Sequence, residues 1–329
     1  MRFVTVDQDV QLEVLDWGGS GSPLVLLSGL GNTAHVFDEF APKLTARHHV
    51  YGITRRGFGA SSVPAAGYTA DRLGDDVLAV LSALKLDRPV LIGHSIAGEE
   101  LSSIGSRFPD RVAGLIYLEA TYGFAYYDGA KGYLPIDVKE LRDELDQLLH
   151  AADPKRVTQE LLNVDLPEFE RVLRQQTPVP LPPGPNPTAS DLASFQALGD
   201  WYSRVRGLHF PEAELRAVRT LTDDGRPRGQ KTPPWVAAAI NAGETKFTKI
   251  PVPILAICAV PQELGPAGPG LSAAERATLE ANQSAQVDAF EHGVPSAQVV
   301  RLPRANHYIF LSNEAEVLRD IEQFTKSLH

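Results

Sequence analysis

An α/β architecture, with a mostly parallel sheet, helices on both of its faces and a helical insertion, is predicted by three observations. Short apolar runs alternate with segments of helical period over residues 1–120, the same rhythm returns over 251–329, and the stretch 121–250 breaks it. Strands separated by single helices form βαβ units, and strands covered on both faces read as unbroken apolar runs. The chain therefore divides into a core domain, 1–120 and 251–329, and a helical cap or lid, 121–250, inserted into it.

The apolar runs fall at 10–17, 23–28, 49–54, 89–93 and 112–118. The first two have no helix between them and are expected to form an antiparallel hairpin at one edge. Leu73, Val77, Val80, Leu81 and Leu84 form one helical stripe, and Ala97, Leu101, Ile104 and Phe108 another. Farther on, 252–259 and 298–302 read as strands and 273–290 as a helix. A last helix starts at Ser312 or Asn313, with Glu316 placed for a capping box and an apolar stripe of Val317, Ile321, Phe324 and Leu328. Within the insertion, 136–150 reads as a helix turning Leu141, Leu145 and Leu148 inward. The proline-rich run 177–185 reads as a loop, because proline lacks the N–H that a helix needs.

Composition removes several classes of function. The 329 residues are 43% hydrophobic and 22% charged, as in ordinary globular proteins. A formal charge of -10 repels a phosphate backbone, so nucleic acid is not an expected partner. No run of Lys and Arg suits an anionic membrane surface, and the apolar runs are too short to span a bilayer. The start, Met1 to Asp7, lacks the apolar stretch of a signal peptide; the chain as given is expected to be soluble and cytoplasmic, although a leader removed beforehand would leave no trace. Cys258 is the single cysteine, which excludes an internal disulfide and a cysteine-rich zinc site; it lies in an apolar run and reads as a packing residue. Association with further copies of the chain stays open.

The chemistry concentrates in Gly93-His94-Ser95-Ile96-Ala97-Gly98, where a strand turns at once into an amphipathic helix. Such a turn strains the Ser95 backbone, demands small neighbours at 93, 97 and 98, and lifts the hydroxyl above the sheet. The following helix N-terminus and the N–H of Ile96 then suit a developing oxyanion. A serine hydroxyl needs a base, and His307 follows the last strand and precedes the last helix. His94 is read as a packing or supporting residue whose strand position points it away from the nucleophile. A competing pattern, Gly29-Leu30-Gly31-Asn32-Thr33-Ala34, fits a dinucleotide fingerprint, but the next strand ends in Thr54-Arg55-Arg56 rather than an acid, which leaves at best an NADP reading.

With the nucleophile elbow in place, the chain resembles the α/β-hydrolase superfamily over about two thirds of its length. Leu26-Leu27-Ser28-Gly29-Leu30-Gly31-Asn32 is similar to the family's oxyanion loop, with Ser28 where His is usual; the resemblance implies the backbone N–H of Leu30 as the second oxyanion donor. Thr54 to Ser61 is similar to the family's Asp-x-x-Gly-x-Gly-x-Ser loop, with Thr54 in place of Asp. The resemblance also implies an eight-stranded sheet, the base role of His307 and no cofactor or metal. The usual acid is missing after 252–259, where Gln262 stands near the expected place and Glu263 follows. A minority of the family carries the acid one strand after the elbow helix, which implicates Glu119; Glu263 is the alternative.

The resemblance thus implies a capped serine esterase or lactonase, with a hydrophobic small-molecule substrate inferred from the cap's aromatic side chains. An amidase or peptidase on the same scaffold and a non-hydrolytic small-molecule receptor are the alternatives. Ser95 argues against the epoxide hydrolases and dehalogenases, which use an aspartate nucleophile.

Overall fold

The computed structural model describes residues 1–175, 185–266 and 270–328. All of the loop expected at 177–185 except Pro185 lies outside them. Ten strands occur among the described residues: β1 (Arg2–Asp7), β2 (Val10–Gly18), β3 (Pro23–Leu27), β4 (His49–Ile53), β5 (Val90–His94), β6 (Gly114–Leu118), β7 (Arg219–Leu221), β8 (Pro227–Gln230), β9 (Ile254–Ala259) and β10 (Ala297–Leu302). Eight of them form one sheet in the order β1-β2-β4-β3-β5-β6-β9-β10. All neighbours from β4 to β10 in that order are parallel; only the β1–β2 and β2–β4 pairs are antiparallel. The chain thus has the α/β-hydrolase fold.

The edge hairpin is built from residues 2–18, not from the runs at 10–17 and 23–28. Asp9, at φ 58, makes the tight return between β1 and β2, whereas β3 is buried along most of its length between β4 and β5. An apolar run without polar alternation fits such an interior strand better than an edge.

The helices are α1 (Ala70–Ala83), α2 (Ala97–Arg107), α3 (Leu134–His150), α4 (Pro154–Glu160), α5 (Leu166–Gln175), α6 (Phe195–Arg206), α7 (Glu212–Val218), α8 (Pro234–Asn241), α9 (Ala273–Gly293), α10 (Ile309–Ser312) and α11 (Glu314–Ser327). Side chains alternate across each strand, and the two faces carry separate cores. Leu91, Leu115, Tyr117 and Cys258 pack with Leu73, Val77, Leu101 and Phe290 of α1, α2 and α9. Ile92, Ile116, Leu118 and Ile257 pack on the other face with Val317, Ile321 and Phe324 of α11.

Two local expectations change. Leu141 and Leu148 of α3 are half-buried, but Leu145 is exposed, because α3 lies at the periphery with solvent along much of its length. Asn313 precedes α11 without a side-chain capping bond: its N–H already bonds Ile309 O at the end of α10, and its Oδ1 accepts from Ser312 Oγ. Between 121 and 250 lie α3 to α8 and the short antiparallel pair β7–β8, none of it joined to the main sheet.

Candidate active site

β5 and β6 are adjacent and parallel, so Ser95 and Glu119, the residues that follow them, emerge side by side at the same sheet edge. The Ser95 N–H bonds Leu118 O at 3.1 Å, and the Glu119 N–H bonds Ile257 O at 2.8 Å. Both residues are left-handed, Ser95 at φ 55 and Glu119 at φ 48. Arg304, three residues before His307, is left-handed too, at φ 60. Strained backbone of this kind persists only where packing over-determines it. The turn at Ser95 is possible because its neighbours are small. A Cβ on Gly98 would lie 2.3 Å from Ala120 O, and one on Gly93 would press on Leu101 and Ala97.

His307 arrives from the loop after β10, and its Nε2 shares a hydrogen bond of 3.0 Å with Ser95 Oγ. Burial, with the Arg206 charge as a lesser cause, lowers the His307 pKa to about 4, so the imidazole is neutral near pH 7. His94 holds this segment. Its Nε2–H donates to His307 O at 3.0 Å, and its ring lies 4.7 Å from that of His307 and 5.1 Å from that of Phe310. His94 therefore packs against the segment that carries His307, in line with the supporting role expected of it.

The loop after β3 reaches Ser95 through glycine. A Cβ on Gly29 would lie 2.7 Å from His94 Nδ1 and 3.3 Å from Ser95 Cβ. The main-chain bond from Asn32 N–H to Gly29 O, 3.2 Å, closes the turn, and Gly31 is at φ 85. Among the described residues, the N–H groups of Leu30 and Ile96 enter none of the loop or turn hydrogen bonds, which leaves both as donors beside Ser95. A carboxylate that sequence reasoning missed grips this loop. Glu214 of α7 accepts from Asn32 Nδ2 at 2.8 Å, from Thr33 N–H at 3.2 Å and from Thr33 Oγ1. Burial raises the Glu214 pKa to about 7 against these donors. No local pattern links residues 32 and 214; only folding brings them together.

Glu119 is 7% exposed, and its carboxyl is held by Ala259 N–H at 2.5 Å and by the Tyr122 hydroxyl at 3.3 Å. Burial raises its pKa to about 7, and those two donors act in the opposite direction. No ion pair joins Glu119 to His307 among the described residues; the Tyr122 ring, 6.5 Å from that of His307, stands beside both. Glu263 is exposed at the pocket mouth, its N–H bonded to Ala305 O at 2.7 Å, and it forms no ion pair with His307 either.

The arginines of the loop after β4 are structural. Arg55 is paired with Glu100 through two contacts of 2.7 Å, and Arg56 with Asp76 at 2.6 and 2.7 Å, all buried. Neither is free to hold a nucleotide phosphate, and Gly29 to Ala34 leads into a 3-10 turn of four residues rather than the long helix of a dinucleotide site. Cys258 is fully buried beside Thr121, and burial pushes its thiol up to about 12, so it is an inert packing residue.

A pocket of about 390 Å³ opens over His307 and Leu30. Leu30, Phe210, Leu215, Val218, Leu264 and the Tyr202 and Tyr308 rings supply its apolar and aromatic wall, and Asn32, Arg206, Glu214, Gln230, Gln262, Glu263 and Asn306 its polar one.

A family profile described as alpha/beta hydrolase fold matches residues 22–159. The chain is 32% identical over 115 residues to a putative non-heme haloperoxidase of Mycobacterium phage D29, covering 34% of this chain and 41% of that one. It is 26% identical over 103 residues to the 2-(acetamidomethylene)succinate hydrolase of Mesorhizobium japonicum, covering 31% and 37%. These alignments thus span about two fifths of the curated relatives' lengths. Among solved structures, an E-2-(acetamidomethylene)succinate hydrolase superposes with a TM-score of 0.62 at 19% identity, over 99% of this chain and 98% of that one.

Proposed function

From the premise that this chain has the α/β-hydrolase fold, and that a family profile of that fold matches residues 22–159, we propose that it is a serine hydrolase cleaving a carboxylic ester or lactone of a hydrophobic small molecule through an acyl-enzyme. The observation that carries this reading is the 3.0 Å contact between Ser95 Oγ and His307 Nε2 at a strained strand-to-helix turn. His307 takes the hydroxyl proton as Ser95 attacks the carbonyl carbon. The N–H groups of Leu30 and Ile96 hold the tetrahedral oxyanion; donors of this kind are worth roughly a hundredfold or more each in rate. The imidazolium passes its proton to the leaving alkoxide, the alcohol departs, and a water deprotonated by the same imidazole releases the acid. No metal or cofactor enters these steps.

Glu119 is the acid of this triad. Its carboxyl stands one strand from Ser95, and we assign to it a turn away from Tyr122 towards the imidazole as positive charge develops there; apo geometry is commonly looser than that of the working complex. Residues 121–250 act as the cap, whose apolar wall at Phe210, Leu215 and Val218 suits an uncharged substrate body and sheds water from the acyl intermediate.

Turnover of a short p-nitrophenyl ester tests the reading. The wild type should hydrolyse it with a burst of nitrophenol, and Ser95→Ala should lower kcat by about 10⁴-fold or more. Tight binding of such esters without turnover would instead favour a receptor, and turnover untouched by Ser95→Ala would remove the serine mechanism.

A further inference from the structure

Resting on the hydrolase reading above, we propose that the substrate carries an anionic group, a carboxylate in the simplest case, which docks on Arg206 at the polar wall of the pocket. Arg206 is the only Lys or Arg among the described residues that line this pocket. It ends α6, and Gly207 follows in a left-handed conformation, φ 69, that closes the helix through its N–H to Ser203 O at 2.9 Å. The main chain there is fixed. A Cβ on Gly265 would lie 2.8 Å from Arg206 O, one on Gly207 would lie 3.0 Å from Pro266 Cδ, and Asn306 Nδ2 donates to Arg206 O at 3.4 Å. A side-chain amide bond to its carbonyl therefore links Arg206 to Asn306, the residue beside His307.

Among the described residues the guanidinium itself has no partner. Two residues earlier, Arg204 is paired with Asp191 at 2.7 Å, whereas Arg206 pairs with no carboxylate among the described residues. Its charge is felt at His307, which faces the same pocket. A cation beside the general base opposes protonation of the imidazole, and an anion on the substrate would offset that charge during the reaction. Gln262 adds a neutral donor. Its Oε1 accepts from Gln283 Nε2 at 2.8 Å, which orients its own amide N–H₂ as the free end. Of the two acids on the pocket wall, Glu214 is occupied by Asn32 and Thr33, and Glu263 is the exposed competitor for Arg206. A guanidinium fork beside an amide donor matches a carboxylate, and the apolar wall takes the rest of the molecule.

The test compares two charged esters with neutral partners of similar size: mono-p-nitrophenyl glutarate against p-nitrophenyl butyrate, and p-carboxyphenyl acetate against phenyl acetate. In the wild type, at least one charged ester should exceed its neutral partner in kcat/KM by about tenfold or more. Arg206→Gln should abolish that advantage through KM, so that charged and neutral esters of similar size react with similar kcat/KM. Glu263→Gln should widen it. The inference falls if neutral esters are preferred, if Arg206→Gln lowers charged and neutral esters alike, or if the advantage survives the substitution. Failure of every ester to react would instead overturn the hydrolase reading on which the inference rests.

Discussion

The sheet and the segment between residues 121 and 250 treat their charged side chains in opposite ways. In the sheet domain, Arg55 with Glu100 and Arg56 with Asp76 are buried ion pairs that pin the loop after β4 against α1 and α2. In the segment 121–250, Glu214 is buried against neutral donors of the loop after β3, Arg206 pairs with no carboxylate among the described residues, and α3 to α5 leave Leu145, Leu149 and Leu173 exposed. The buried arginines of the sheet domain meet opposite charges, whereas Glu214 and Arg206, at the pocket wall, form no ion pair among the described residues. Changes in the sheet domain should therefore register in kcat or in stability, and changes in the segment should register in loop geometry or substrate choice.

The largest expected effect tests the sheet's own acid. Glu119→Gln should lower kcat by about 10³- to 10⁴-fold, and Glu263→Gln by less than about threefold on a neutral ester. The pH profile separates orientation from mere packing. With its pKa raised to about 7 by burial, the Glu119 carboxylate is lost as pH falls through 7, which places the acid limb of kcat/KM near there. In Glu119→Gln the remaining limb should belong to His307, near 4. An unmoved limb, or the reverse order of the two substitutions, would transfer the role to Glu263.

A smaller effect is expected across the boundary between the two regions. Glu214→Gln replaces one acceptor oxygen by an N–H₂ group facing Thr33, which already donates to it. The oxyanion loop should shift, lowering kcat by about tenfold with KM nearly constant. A rise in KM alone would mean that Glu214 contacts substrate and leaves the loop in place.

The smallest effect on turnover, read instead in stability, contrasts neighbours on α2. Glu100 is paired, whereas both carboxyl oxygens of Glu99 are buried without a partner, and burial followed by the Glu100 charge holds the Glu99 pKa well above the usual range. An acid whose folded pKa is raised costs stability as pH climbs above its unfolded value, because the native state resists losing the proton. Glu99→Gln should therefore raise Tm by a few degrees at pH 8 and by less at pH 5, whereas Glu100→Gln should destabilise by about 3 kcal/mol, leaving Arg55 unpaired. Thermal melts at the two pH values decide it.

How much was legible follows how local each feature is. The main-sheet strands from β2 onwards, the elbow and His307 are signalled by contiguous residues: apolar runs, small residues round Ser95, a histidine between the last strand and the last helix. The misplaced hairpin and the exposed Leu145 came from periodicity, which reports an element but neither its sheet neighbour nor what covers it. Glu214, Arg206 and Tyr122 carried no signal, since their partners lie on other elements or, for Tyr122, in a loop whose path the pattern does not describe.

By itself the sequence determined the α/β class and placed Ser95 at the tight turn and His307 after the last strand, because backbone strain at such a turn and burial on both sheet faces restrict residue type locally. The tertiary structure alone decided which carboxyl grips the oxyanion loop, which cation overlooks the imidazole and how Glu119 is held. Those are through-space matters of charge and hydrogen bonding between residues up to 182 positions apart, as between Asn32 and Glu214, and spacing along a chain does not encode them.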